Sequence, residues 1–141
     1  LNSVSKSFLG LLVGVLCEEG LIQPYELISN YIPEFKDSAF RNTTLQHALD
    51  MSGAVKYHED YADPNADFWV ETAVVGWRPG LVNENSSDTL FDYALSLKET
   101  EQEDGAKFHY RTVFTNVLSM VIERATGQGV EDLLQEKICQ H

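Results

Sequence analysis

Ser3-Val4-Ser5-Lys6-Ser7-Phe8 heads an apolar stretch (Phe8, Leu9, Leu11, Leu12, Val13, Val15, Leu16) whose spacing predicts a buried helix. Ser3 and Lys6 stand three residues apart, close to one helical turn, so both side chains lie on one face. In that arrangement a lysine amine reaches a serine hydroxyl, and an unprotonated amine can take the serine proton and create a nucleophile. Desolvation by an apolar run and the positive end of a helix dipole both disfavour a charged amine at such a place. Backbone N–H groups pointing outward at a helix start can also steady an oxyanion. The pattern S-x-x-K is short, expected by chance on the order of once in a chain of this size. The alternative therefore stands beside it: Ser3 as a plain N-cap and Lys6 as a snorkelling surface residue.

The bulk properties narrow the field. With 141 residues, 43% of them hydrophobic and 23% charged, the chain reads as one globular domain, residues 1–141, able to bury a core. Ten Lys and Arg against 22 Asp and Glu give a formal charge of -12, the wrong sign for a nucleic-acid backbone or an anionic membrane surface, so neither is expected as a partner. Cys17 and Cys139 are too few for a disulfide framework. His47, His58, His109 and His141 lack metal-ligand spacing, so no metal site and no cofactor are expected. The run from Phe8 to Leu16 is too short and too interrupted by glycine to span a bilayer, and a cytoplasmic setting is favoured. The chain begins at Leu1, two residues before the candidate nucleophile, which reads as a fragment or an excised domain.

Along the chain the first helix is expected from Asn2 or Ser3 to Glu19, closed at Gly20. A short helix from Tyr25 to Asn30 follows Pro24, then an apolar connection at Tyr31–Phe35 in which Pro33 blocks further helix. Asn42-Thr43-Thr44 caps a helix from Leu45 to Met51. Asp63 or Asn65 is expected to cap a helix over Phe68 to Val75, and Ser86-Ser87-Asp88 one over Leu90 to Leu97. Arg78-Pro79-Gly80 and Asn83-Glu84-Asn85 read as a loop, and the acidic strip Glu99 to Asp104 as a solvated connection. A strongly amphipathic helix holds Val117, Leu118, Val121 and Ile122 up to Gly127, and a last one holds Val130 to Ile138. No stretch alternates as a strand, so the fold class is mainly α.

Several segments together resemble the serine hydrolases of the class C β-lactamase and penicillin-recognising superfamily. Ser3-Val4-Ser5-Lys6 is similar to its nucleophile motif, Glu18-Glu19-Gly20-Leu21-Ile22 with Tyr31-Ile32-Pro33-Glu34 to its continuation, and Thr44 to Gly53 to its T-hydrophobic-x-x-L-L-x-M-x-S-G helix. Phe108-His109-Tyr110 leading into Val121-Ile122-Glu123-Arg124-Ala125-Thr126-Gly127 resembles the second motif and its helix. Glu59-Asp60-Tyr61-Ala62-Asp63-Pro64 and Gly76-Trp77-Arg78 are similar to the branch typified by 6-aminohexanoate-dimer hydrolase, which cleaves small linear amides and shows esterase activity.

The resemblance implies an acyl-enzyme mechanism: Ser3 the nucleophile, Lys6 its proton acceptor, Tyr110 the phenol that passes a proton to the leaving group. It implies Tyr61 as a tyrosine that closes over a small amide or ester substrate, with Tyr57 and Trp69 offering the alternative of one aromatic cluster around it. Thr112 holds the third place of motif two, where the family has Asn or Ser: a hydroxyl survives there, a side-chain amide does not. Thr72, eleven positions beyond Tyr61, stands where the amide-cleaving branch can have an acidic residue. The chain shows neither K-T-G nor H-x-G, the family's third motif, so what remains is expected to be the helical region of an α/β fold lacking most or all of its sheet. That expectation carries two others: impaired activity of this chain alone, and a homodimer or other association covering apolar helix surface. A non-catalytic helical module and a penicillin-binding sensor domain are the alternative functions.

Overall fold

The computed structural model describes residues 2–78 and 86–140 of the chain. The loop expected at Pro79-Gly80 and Asn83-Glu84-Asn85 lies outside them. Seven α-helices are described: α1 (Val4–Glu18), α2 (Ile28–Tyr31), α3 (Leu45–Leu49), α4 (Asp67–Val74), α5 (Leu90–Ser96), α6 (Val113–Thr126) and α7 (Val130–Leu134). A 3-10 turn follows α2 at Pro33–Asp37, and a π-type turn follows α7 at Gln135–Cys139. Among the described residues there are no strands, only two isolated antiparallel bridges, Leu27 with Thr44 and Val55 with Thr100. No described helix is long and apolar enough to cross a membrane.

α1 buries Leu9, Leu12, Val13 and Leu16, the i, i+3, i+4, i+7 stripe of an amphipathic helix. Its C-terminus turns on Gly20, whose φ of +73° is cheap only for glycine, and the Gly20 and Leu21 N–H groups return to the Cys17 and Leu16 carbonyls. α6 is the central helix, packed against α1, α2, α3 and α5, and buries Val113, Phe114, Val117, Leu118, Val121 and Ile122. Phe114 continues an edge-to-face chain of rings through Phe40 to Phe35, with centroids 6.1 and 5.4 Å apart. This core holds the two ends of the chain side by side.

Three local expectations are corrected. Tyr25 to Asn30 is not one helix: Leu27 is extended and bridged to Thr44, and helix begins at Ile28. Neither Asp63 nor Asn65 caps α4, whose N-cap is Ala66, because the Asp63 carboxylate already accepts the Asn65 N–H. α5 is capped by the Thr89 hydroxyl, which accepts the Asp92 N–H, and not by Ser86-Ser87-Asp88.

The acidic strip is largely exposed, as expected, but it does more than connect. It runs beside residues 51–56 and pins them: Lys56 N–H bonds the Glu99 carbonyl, Glu101 N–H the Ala54 carbonyl and Gly105 N–H the Ser52 carbonyl. Asp104 accepts from the Thr43 hydroxyl at 2.6 Å and the Ala54 N–H at 3.0 Å. Charge favours solvation, but the polar groups of an irregular, largely buried segment require partners, and the strip supplies them.

Candidate active site

Ser3 sits just ahead of α1 in helical geometry, and its side chain makes no capping bond. The hydroxyl instead lies between two side chains: Ser3 Oγ accepts from Lys6 Nζ at 3.2 Å and from the Tyr110 hydroxyl at 2.8 Å. Lys6 Nζ is also 5.5 Å from the centre of the Tyr110 ring. Ser3 is exposed, while Lys6 and Tyr110 are half-buried. Lys6 lies one turn before Leu9 on the stripe that buries Val13 and Leu16, so its stem runs along apolar surface and its head emerges at the serine. Asn2 precedes with φ +46°, a left-handed conformation that asparagine tolerates, and its carbonyl accepts both the Ser5 hydroxyl at 2.6 Å and the Ser5 N–H at 3.1 Å.

Tyr110 is held by anchors on both sides. The His109 N–H bonds the Met51 carbonyl at 2.8 Å. Arg111 is fully buried, donating to the Gly53 carbonyl at 3.1 Å and to the Glu101 carboxylate. Burial raises and the Arg111 bond lowers the Glu101 carboxyl, with a net downward shift. A Cβ at Gly53 would stand 2.6 Å from the Phe114 ring, so only glycine lets this backbone approach closely enough to meet the guanidinium.

Tyr61 and Thr112 meet through a residue the sequence reading left without a role. Glu59 accepts the Tyr61 hydroxyl at 2.8 Å, the Thr112 hydroxyl at 2.7 Å and the Thr112 N–H. Burial, then the bond to Glu59, pushes the Tyr61 phenol up to about 12, so it is protonated and donating at neutral pH. Its ring packs edge-on against Phe68 and Trp69, at 5.0 and 6.4 Å, and Trp77 extends the cluster from Phe68 at 6.4 Å. Tyr57 is not part of it: it is fully buried and donates to Glu71.

Glu71 is only 3% exposed, with one oxygen accepting from the Tyr57 hydroxyl and the other from Asn116 Nδ2 at 2.6 Å. Burial outweighs both bonds and pushes its carboxyl up to about 7. Neighbouring Thr72 turns its hydroxyl back to the Trp69 carbonyl at 3.0 Å. Apolar Phe68 and Val74, three residues before and three after Glu71, both pack against the core and were the signal that this charge lies on an inward face. Ser3, Lys6, Tyr61, Thr112, Glu71 and Asn116 all line one cleft of about 490 Å³, walled by Phe68, Trp69, Val75 and Trp77. Tyr110 reaches it through Ser3. A serine oxygen bonded at once to an amine and a phenol has a proton path on either side, the arrangement needed to activate a nucleophile and then protonate a leaving group.

Comparison with known proteins adds a family. The family model described as Beta-lactamase matches residues 1–141. The 6-aminohexanoate-dimer hydrolase of Paenarthrobacter ureafaciens is 34% identical over 129 residues, 90% of this chain and 31% of its own length. Among solved structures, one described as "Putative 6-aminohexanoate-dimer hydrolase from Bacillus anthracis" superposes with a TM-score of 0.80 at 26% identity, covering 96% of this chain and 36% of that one. A family VIII carboxylesterase shares the fold, with a TM-score of 0.62 at 23% identity, covering 96% of this chain and 32% of its own. The chain thus spans about a third of the length of these relatives.

Proposed function

The chain belongs to the Beta-lactamase family, and from that membership we propose that it carries the nucleophilic centre of a serine hydrolase that cleaves small amides or esters through an acyl-enzyme. The observation that carries this reading is Ser3 Oγ held between Lys6 Nζ at 3.2 Å and the Tyr110 hydroxyl at 2.8 Å. Lys6 takes the Ser3 proton while Oγ bonds to the substrate carbonyl carbon. The tetrahedral centre then collapses, the bond to the leaving nitrogen or oxygen breaks, and Tyr110 protonates that atom. Lys6 returns its proton to the phenolate. Water attacks the ester so formed by the same path in reverse, releasing the acid and restoring Ser3.

Tyr61 and Thr112 border the substrate, and the described helices form the part of an α/β hydrolase that presents the nucleophile. Activity, substrate and partners are proposed for the whole protein, about a third of whose relatives' length this chain spans. Intact mass after exposure to a fluorophosphonate tests the centre. A single adduct on the native chain, absent from Ser3→Ala and slowed on the order of a hundredfold or more in Lys6→Ala, is the expected result. An adduct that survives Ser3→Ala, or none on a folded native chain, overturns the reading.

A further inference from the structure

Glu71 is a buried carboxyl set in the wall of the cleft that holds Ser3 and Lys6, and both of its oxygens are engaged. The Tyr57 hydroxyl donates to Oε2, and Asn116 Nδ2 donates to Oε1 at 2.6 Å. Two donors suit one protonation state only. An ionised carboxylate accepts at both oxygens, whereas a carboxylic acid carries an O–H that needs an acceptor of its own.

The two partners differ in their freedom to supply that acceptor. Tyr57 is fully buried, and Glu71 is the one acceptor its hydroxyl has among the described residues, so turning its proton away would leave a buried donor unpaired. Burial also holds the Tyr57 phenol well above the ordinary tyrosine value, so it remains a donor. Asn116 lines the cleft. Half a turn of its amide puts Oδ1 in place of Nδ2 at Glu71, and the displaced amine group then meets open space in place of a buried wall.

The groups facing Glu71 set where its proton leaves. Burial raises the carboxyl, the Tyr57 and Asn116 bonds lower it, Glu59 of the preceding loop raises it and Lys6 of α1 lowers it, with the balance at about 7. α5 faces it with Tyr93, and on α4 itself Asp67, one turn earlier, is occupied by the His58 N–H.

We propose that Glu71 is a positioning residue whose proton decides which end of the Asn116 amide the cleft presents. Ionised Glu71 holds Nδ2 and leaves Oδ1 outward; protonated Glu71 donates to Oδ1 and turns Nδ2 outward. Lys6 Nζ and the Trp69 and Trp77 indoles offer donors in both states, so the change belongs to Asn116. Ligands that accept hydrogen bonds without donating any are therefore bound more tightly when Glu71 carries its proton. The device does not depend on Ser3 being acylated.

Glu71→Gln supplies the reference state: Tyr57 must donate to the glutamine oxygen, which leaves the glutamine amine to donate to Asn116 Oδ1 at any pH. Measurements are made at about pH 5.5 and about pH 8.5, either side of the Glu71 value of about 7. In the ¹⁵N-labelled native chain, a nuclear Overhauser cross-peak from the Asn116 side-chain amide protons to the Glu71 γ protons should be present at the higher pH and lost at the lower. In Glu71→Gln it should be absent at both. N-methylpyrrolidone, an acceptor with no donor, is then titrated into the same samples. The native chain should bind it about threefold to tenfold more tightly at the lower pH, the worth of one neutral hydrogen bond, and Glu71→Gln equally at both. A native cross-peak of equal strength at the two pH values, or native and variant affinities with the same pH dependence, overturns the inference. The native cross-peak decides alone if the variant does not fold. Neither readout involves labelling of Ser3, so failure here leaves the serine hydrolase reading standing.

Discussion

The two walls of the cleft are built on different length scales. On the α1 wall Lys6 reaches Ser3 across three residues of one helix, in a partly solvated setting. On the facing wall Glu59 reaches Thr112 across 53 residues, and Glu71 reaches Asn116 across 45 and Tyr57 across 14. The first wall carries the proposed nucleophile and base, whose spacing is written in a four-residue motif. The second is a frame of half-buried and buried carboxylates, each held by donors from another segment. The serine–lysine pair is thus specified locally and its surroundings at a distance, and the two can be perturbed separately.

Removing the partner of the buried guanidinium should strain the frame most. Glu101→Ala leaves Arg111, fully buried, with the Gly53 carbonyl as its remaining acceptor, and should cost about 3 to 5 kcal/mol in denaturant unfolding. A loss below about 1 kcal/mol would break the claim that buried charge holds this wall.

Next comes Glu71, through pH. An acid with a raised folded-state value keeps its proton in the native chain after the unfolded chain has lost it. Its contribution is therefore fully present below the unfolded value of about 4.5 and is lost as pH rises to about 7. At about 1.4 kcal/mol per unit, the native chain should lose about 3 kcal/mol over that window relative to Glu71→Gln, whose unfolding free energy lacks this slope. Parallel pH profiles of the two proteins would contradict the burial of an ionisable group here.

Glu59→Gln sharpens the comparison at smaller scale. Weakening bonds to a charged acceptor should cost about 1 to 2 kcal/mol of stability while fluorophosphonate labelling of Ser3 changes less than about threefold, since the α1 wall does not depend on it. The smallest effect belongs to the outer face of α1, where Val4, Phe8 and Leu11 are 56%, 41% and 55% exposed. Leu11→Gln should alter monomer stability by no more than about 0.5 kcal/mol. Light scattering on native and variant chains then tests the expected homodimer: association that the substitution weakens supports it, and a native chain monomeric at all concentrations removes it.

How much of this was legible follows the same division. The Ser3 and Lys6 pairing, α1 with its Gly20 stop, the Thr44 cap of α3 and the amphipathic face of α6 all depend on residues within a turn or two, and periodicity exposes them. Tyr110 was placed through a family resemblance, because nothing local ties a tyrosine to a serine 107 residues away. Glu59, Glu71 and the strip from Glu99 to Asp104 escaped for one physical reason. Composition assigns carboxylates to solvent, and only the folded chain reveals which of them must satisfy someone else's buried N–H or hydroxyl.

The Tyr110 bond to Ser3 has a kinetic meaning as well. It spans 107 of the chain's 141 residues, so it forms only once the two ends have been brought together and the loop-closure entropy between them has been offset. Intermediates with a formed α1 and an undocked α6 would hold the serine and lysine but not the phenol. On the proposed role of Ser3, the rate at which a covalent probe marks it during refolding would follow this long-range docking event.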